Sequence, residues 1–312
     1  MATFTLSAYS PAAGTVATNV TGTQIAATID GIAQQGLAFY PTAVPSTPYP
    51  TIVYVGGGTP GNIDLTDAHV KGNLVGTTGV PPAGDIATGL SGMALWDDSA
   101  TGGPAGYVVV CPALRESAAG IWTGKSVALG TDNFGGDDDL EDVAQMVNAQ
   151  MDIARASSEK VALIGSSSGA MRVALTLAKK GKTPTCCILR APLIEISDWK
   201  DVQHGRLSIP GFSNPNQDDP NKITHPDRIL LRERSPNLMT DELPIIPYLL
   251  VRGDQDTTIP AIWVQRFADR MRARGASVEV VTVPGGGHAL TGANDAQVAA
   301  TAMRRFLAEH LK

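Results

Sequence analysis

Three short apolar runs in this chain each end in a turn of small residues that carries one reactive side chain. The first, Val161-Ala162-Leu163-Ile164, runs into Gly165-Ser166-Ser167-Ser168-Gly169. The second, residues 247–252, runs into Gly253-Asp254-Gln255-Asp256 and on to Ile259-Pro260. The third, residues 278–283, runs into Gly285-Gly286-Gly287-His288. The first is a continuous apolar run of the kind that strands buried on both faces show, and the other two also read as strands. After the first turn, residues 169–180 place Met171, Ala174, Leu175 and Ala178 on one helical face, with Gly181 at the expected stop. Strands alternating with helices call for an α/β chain with a mostly parallel, doubly wound sheet. The reactive side chains then gather at the carboxyl ends of its strands.

A serine, an aspartate and a histidine, met in that order, are the parts of an activated hydroxyl nucleophile. A lone G-x-S-x-G would be weak evidence in a chain with 33 glycines, where roughly 0.2 chance matches are expected. Its place on a strand-to-helix turn gives it weight. Ser167 occupies the central position among three adjacent serines. Gly165 and Gly169 supply the small flanks that a crowded turn needs. The amide of Ser168, at the positive end of the following helix, is a candidate oxyanion donor. In the second motif the Gly-x-x-Asp-x-x-x-Pro spacing selects Asp256 to orient the histidine, with helix capping as its alternative use. Asp254 is expected to tie up turn amides. Pro260 opens a helix whose Trp263, Phe267 and Met271 form a core stripe.

Of five histidines, His310 ends the terminal helix and His69 lies in a polar stretch. His204 and His225 fall in a Pro/Asn/Asp-rich segment. His288 alone follows a strand, after the acid, and is the candidate base. The apolar run 51–55 ends in Gly56-Gly57-Gly58, where backbone can approach a substrate closely; Gly57 and Gly58 are the candidates for the second oxyanion donor. No lysine follows this triplet in phosphate-loop spacing.

The remaining elements fill in one domain, residues 1–312. Residues 23–29 and 33–40 flank Asp30-Gly31 as an N-terminal β-hairpin. A helix is expected over 139–154 and another over 294–311, the latter capped by Asn294. Two irregular stretches stand out: a long loop over 61–106, with a short helix at 65–74, and a polar cap insertion over 199–242. Both are expected to shape the substrate pocket. The three cysteines read as buried small apolar residues; their number and spacing offer neither a disulfide framework nor a zinc site. No metal and no cofactor are expected. A net charge of −6 argues against nucleic acid as the partner, and no run has the apolar length of a membrane span. The first 21 residues lack the charged and apolar regions of a signal peptide. Localisation leans to the cytoplasm, with a mature exported chain left open.

From about residue 23 onward the chain resembles the α/β-hydrolase superfamily, in particular the catalytic domain of prolyl-oligopeptidase-like serine hydrolases and esterases. The likeness is carried by the three motifs, by Cys111-Pro112-Ala113-Leu114-Arg115, by Gly135-Gly136 leading to Asp142, and by Arg234-Ser235-Pro236. Gly56 stands where such families commonly have histidine, and Ala170 where they often have a second glycine. The resemblance implies a serine hydrolase. Hydrolysis of a small-molecule carboxylic ester is the expectation because the propeller and any evident acidic pair to hold a peptide's amino group are missing. A short peptide is the alternative substrate and a non-catalytic binding protein a third reading. It implies Ser167 as nucleophile, His288 as base and Asp256 as the orienting acid. At 312 residues there is no room for the propeller of the large oligopeptidases. The oligomeric state is not readable.

Overall fold

A gap of two residues sets the first feature of the fold. In the computed structural model, β2 (Val20–Ile29) and β3 (Ile32–Pro41) pair antiparallel throughout, with Ile29 opposite Ile32. This is the hairpin expected around Asp30-Gly31. The structure describes residues 4–8, 19–29, 32–56, 93–113, 137–149, 153–196, 229, 231–290 and 292–312. Asp30, Gly31 and the other residues lie outside the described set. β1 (Thr5–Ala8) pairs antiparallel with β2 at the outer edge.

The rest of the sheet is parallel. It comprises β4 (Tyr49–Val55), β5 (Val108–Ala113), β6 (Ala156–Ser166), β7 (Cys186–Arg190), β8 (Tyr248–Gly253) and β9 (Val278–Val283). Across the sheet the order is β1-β2-β3-β5-β4-β6-β7-β8-β9, with β3 antiparallel to β5 and all later pairs parallel. The chain steps outward from β4 to β5, then crosses to β6 and proceeds in the other direction. Such a reversal leaves a crevice at the carboxyl ends of the two central strands, where open α/β sheets bind ligands. Ser167 follows β6, so the nucleophile turn stands at this switch point.

Helices cover both faces, as a doubly wound sheet requires. Among the described residues, α1 (Asp137–Ala149), α2 (Ser168–Lys180) and α3 (Ala261–Ala273) pack on one face. There Leu140, Met171, Leu175 and Phe267 meet Val53, Leu163 and Leu250. On the other face α4 (Ala293–His310) lays Met303, Phe306 and Leu307 on Ile52, Ile164 and Leu249. Adjacent strand residues therefore serve opposite layers, which is why the strands read as continuous apolar runs. Trp263, Phe267 and Met271 are all buried, so their spacing of four is a core stripe.

Element ends differ from the sequence expectation where backbone pairing overrides side-chain polarity. β6 starts at Ala156, ahead of its apolar run, because Ala156 pairs with Tyr49 at an irregular register. The described part of α1 ends at Ala149, and the chain has left the helix by Ile153, short of 154; Ile153 and Arg155 instead offer carbonyls to Ala156 and Tyr49. At α4 the cap position is Gly292, and Asn294 lies inside the first turn.

Only parts of the two irregular stretches fall among the described residues. Residues 93–106 precede β5 and so sit at the amino ends of the parallel strands, away from Ser167. Met93, Ala94 and Trp96 are buried in the α4 layer, and Arg304 bonds Asp98 at 2.9 Å. These residues anchor the segment to the core, while Leu95, Asp97 and Ser99 are exposed. Residues 231–242 likewise pack into the domain. Ser235 donates to the Leu231 carbonyl and accepts from the Ile196 amide, and the Asn237 amide donates to Ile194. The rest of the cap insertion expected over 199–242, and the short helix at 65–74, lie outside the described residues.

Candidate active site

β6 ends at Ser166 and α2 begins at Ser168, which leaves the whole change of direction to one residue. Ser167 has φ 52° and ψ −120°. A positive φ at a residue with a Cβ is costly, about 1–3 kcal/mol, and persists only where the surroundings over-determine it. Here its amide donates to the Arg190 carbonyl at 2.8 Å, and its carbonyl accepts from Ala170 and Leu193 at 3.0 and 3.1 Å. The flanking glycines are required by contact. A Cβ on Gly165 would stand 2.5 Å from the Ala170 Cα, and one on Gly169 would collide with the Val55 and Gly56 carbonyls. The strand leading into Gly57 and Gly58 thus ends against the start of the nucleophile helix. Those two candidate donors lie outside the described residues.

Three strand ends bring Ser167, His288 and Asp256 together. The Ser167 Oγ lies 2.9 Å from His288 Nε2, and His288 Nδ1 lies 2.9 Å from Asp256 Oδ2. Asp256 is almost wholly buried, with 1% of its side chain exposed, against 27% for His288. Its other oxygen accepts the amides of Thr258 and Ile259 at 2.8 and 2.9 Å. The acid is therefore rigid in its own turn, and the helix cap position falls instead to Pro260. Burial alone would raise the Asp256 pKa. The hydrogen bond from His288, the Ile259 and Thr258 amides and the His288 charge outweigh it and hold the carboxyl below its usual range. A carboxylate only accepts, so the neutral ring carries its proton on Nδ1, and Nε2 is left to accept from the Ser167 hydroxyl. Asp254 does what a turn aspartate is expected to do: its Oδ1 accepts the Gly285 amide at 2.7 Å, anchoring the glycine loop that carries His288.

Two arginines that sequence reasoning missed brace this arrangement. Arg172 on α2 is 1% exposed, pairs with the equally buried Asp139 of α1 at 2.5 Å, and donates to Ser168 Oγ at 3.0 Å. Arg190 ends β7 and donates to Ser166 Oγ at 3.0 Å. An Arg closing an otherwise apolar strand was the available signal. Ser168 itself is buried at the head of α2. Of the other histidines, His310 packs edge-on against Phe306 with ring centroids 4.5 Å apart; His69, His204 and His225 lie outside the described residues. All three cysteines are free and buried, and burial pushes the thiols of Cys111 and Cys186 up to about 12.

A prolyl oligopeptidase family model matches residues 104–312. The chain belongs to the prolyl oligopeptidase family. That family consists of serine hydrolases with the α/β-hydrolase fold, in agreement with the sheet order and elbow described above. Similar solved structures include an acylaminoacyl peptidase, 18% identical with a TM-score of 0.65 over 94% of this chain and 42% of its own. The dipeptidyl peptidase 4 of Porphyromonas gingivalis is 15% identical, with a TM-score of 0.61 over 91% of this chain and 34% of its own. Carboxyl esterase 2 from Tuber melanosporum is 12% identical, with a TM-score of 0.63 over 95% of this chain and 89% of its own. The chain thus spans between a third and a half of the length of these two peptidases. No curated protein matches it.

Proposed function

We propose that this protein hydrolyses carboxylic esters through an acyl-enzyme on Ser167, without a cofactor. The observation that carries the reading is the unbroken line of hydrogen bonds from Asp256 through His288 to Ser167, each 2.9 Å long. His288 Nε2 takes the hydroxyl proton as Oγ attacks the acyl carbon. The tetrahedral oxyanion is stabilised by amides, for which Ser168 and Gly57 or Gly58 are the candidates. The imidazolium returns the proton to the leaving alcohol, and the carbonyl re-forms as the acyl-enzyme. Water, deprotonated by the same nitrogen, then releases the acid and restores Ser167. Throughout, Asp256 fixes the tautomer and stabilises the transient positive ring.

Ester cleavage is favoured because a carboxyl esterase matches over 95% of this chain and 89% of its own length, whereas the peptidase neighbours are matched over less than half of theirs. A second reading, cleavage of short peptides by the same residues, is supported by the family membership and by the peptidase neighbours. The test is labelling by a fluorophosphonate, followed by rates on p-nitrophenyl esters of graded acyl length and on aminoacyl p-nitroanilides. Labelling lost in Ser167→Ala, with esters outpacing anilides of the same acyl group by more than their intrinsic reactivity, supports the ester reading. Comparable acceleration of both, over the uncatalysed rates, moves it to a peptidase. Labelling that survives in Ser167→Ala overturns both.

A further inference from the structure

We propose that Arg190 is a positioning residue that fixes the base loop against the nucleophile turn; this rests on the triad reading above. One residue at the end of β7 reaches the turns that carry both reacting groups. Its backbone carbonyl accepts the Ser167 amide at 2.8 Å. Its guanidinium donates through Nη1 to Ser166 Oγ at 3.0 Å, and through Nη2 to the carbonyls of Ala289 and Leu290, the latter at 3.3 Å. The residue before the nucleophile, the nucleophile itself and the two residues after the base are thus tied to a single side chain and its peptide unit. A guanidinium suits this, because its rigid, planar fork can serve several acceptors at fixed angles. A lysine offers one mobile point charge.

The backbone around these contacts is not relaxed. Ala191, directly after Arg190, has φ 42°, and Leu290 has φ 49°. A loop held in that conformation after His288 needs an external restraint. The Leu290 amide donates only to Gly287 of its own loop, at 3.3 Å, whereas the Arg190 contacts come from the neighbouring sheet. Among the described residues the guanidinium's hydrogen-bond partners are two carbonyls and a hydroxyl, none of them a carboxylate. Burial lowers the Arg190 pKa from its ordinary value. The usual strong contact of an arginine is a bidentate pair with a carboxylate. This one is spent on main-chain oxygens next to the triad.

The experiment compares wild type, Arg190→Ala and Arg190→Lys in the full chain. It measures kcat and KM on p-nitrophenyl acetate, the rate of fluorophosphonate labelling, and thermal melting. A displacement near 1 Å in a reacting group costs about 10²-fold. Arg190→Ala is therefore expected to lose about that factor in kcat and labelling rate with little change in KM, and Arg190→Lys to fall between. Millimolar methylguanidinium should restore part of the Arg190→Ala rate and none of the Ser167→Ala rate. A variant that melts like wild type and reacts like it overturns the assignment. So does a loss of rate matched by loss of folded protein and unmoved by methylguanidinium. If Arg190→Ala does not fold, Arg190→Lys decides, and wild-type kcat there overturns the role of the fork. A wild type that is neither labelled nor active overturns the triad reading and this assignment with it. A labelled wild type with unaffected Arg190 variants overturns this assignment alone.

Discussion

Gly165→Ala isolates the geometry of the elbow from its chemistry. The new Cβ would lie 2.5 Å from Ala170 Cα, 2.6 Å from the Gly169 carbonyl oxygen and 2.7 Å from the Ala170 amide nitrogen. All three are backbone atoms in the first turn of α2, so no side chain can swing aside. Cβ contacts essentially never fall below 3.0 Å and are ordinary only from 3.4 Å, so β6 and the head of α2 must part by about 0.5 to 0.9 Å. Ser167 lies between the two parting elements. If the whole shift reaches Oγ, its 2.9 Å bond to His288 opens to about 3.4–3.8 Å, beyond hydrogen-bond range. Overpacking of this kind costs about 1–3 kcal/mol, and a sub-ångström to 1 Å displacement costs about 10- to 10²-fold in rate. Gly275→Ala is the matched control. Gly275 has φ +95° and no neighbour within 4 Å of a built Cβ, so alanine there loses about 1–2 kcal/mol through backbone conformation alone. Both variants should melt at lower temperature, and only Gly165→Ala should lose labelling rate and kcat. Equal activity in the two, at comparable loss of melting temperature, would refute the claim that this contact sets the nucleophile.

Ser167→Ala should abolish labelling and leave only the residual ~10³–10⁴-fold acceleration over water that binding and oxyanion contacts give. Ser168→Ala should mainly lower the melting temperature, since it removes one of the acceptors of Arg172; a dead Ser168→Ala with an active Ser167→Ala would move the nucleophile. Asp256→Asn should lower kcat by about 10⁴-fold through the wrong imidazole tautomer, whereas Asp254→Asn should act on melting temperature through the Gly285 contact; the reverse ranking, read by steady-state kinetics, would reassign the acid. Because the Asp256 pKa is lowered below 3.8, its contribution to stability is complete above that value and is lost as pH falls through the lowered one. The melting temperature of wild type relative to Asp256→Asn should therefore decline as the pH is taken below about 4, and a constant difference down to pH ~2 would contradict the lowered value.

The sheet was legible because its central strands are buried on both faces. Val161 to Ile164 and Leu249 to Val251 have no polar side chain to send outward, so each marks a central strand unaided. The elbow was legible because a serine between Gly165 and Gly169 leaves few other conformations. Asp256 and His288 could be chosen from spacing because each sits directly after such a strand. What escaped depends on contacts distant in sequence. The start of β6 is set by pairing of Ala156 with Tyr49, over residues whose polarity argues against a strand. Residues 93–106 looked like loop because their one apolar run, Met93-Ala94-Leu95-Trp96, is only four residues long and is followed by acids, glycines and small polar residues. The role of Arg190 needs Ala289 and Leu290, about a hundred positions on. No local pattern encodes that meeting.

The places where backbone rules are broken are the places where the site is built. Among the described residues, Ser167, Ala191 and Leu290 carry a positive φ without being glycine, and Asn19 is the fourth. Asn tolerates that region; the other three do not. They follow β6, follow β7 and follow the base, and all three lie within the hydrogen-bond set of Arg190 or its peptide neighbours. Ser167 donates its amide to Arg190, Ala191 donates to Val251 at 2.7 Å, and Leu290 gives its carbonyl to the guanidinium. Each such residue costs on the order of 1–3 kcal/mol, a sizeable share of the ~5–15 kcal/mol by which a domain is stable. A glycine at Ala191 or Leu290 would relieve the backbone but free the loop, since glycine accepts many conformations besides this one. A side chain that is strained yet uniquely held leaves His288 one position relative to Ser167. The strain is then the means by which two loops, on separate strands, keep a 2.9 Å contact before any substrate arrives.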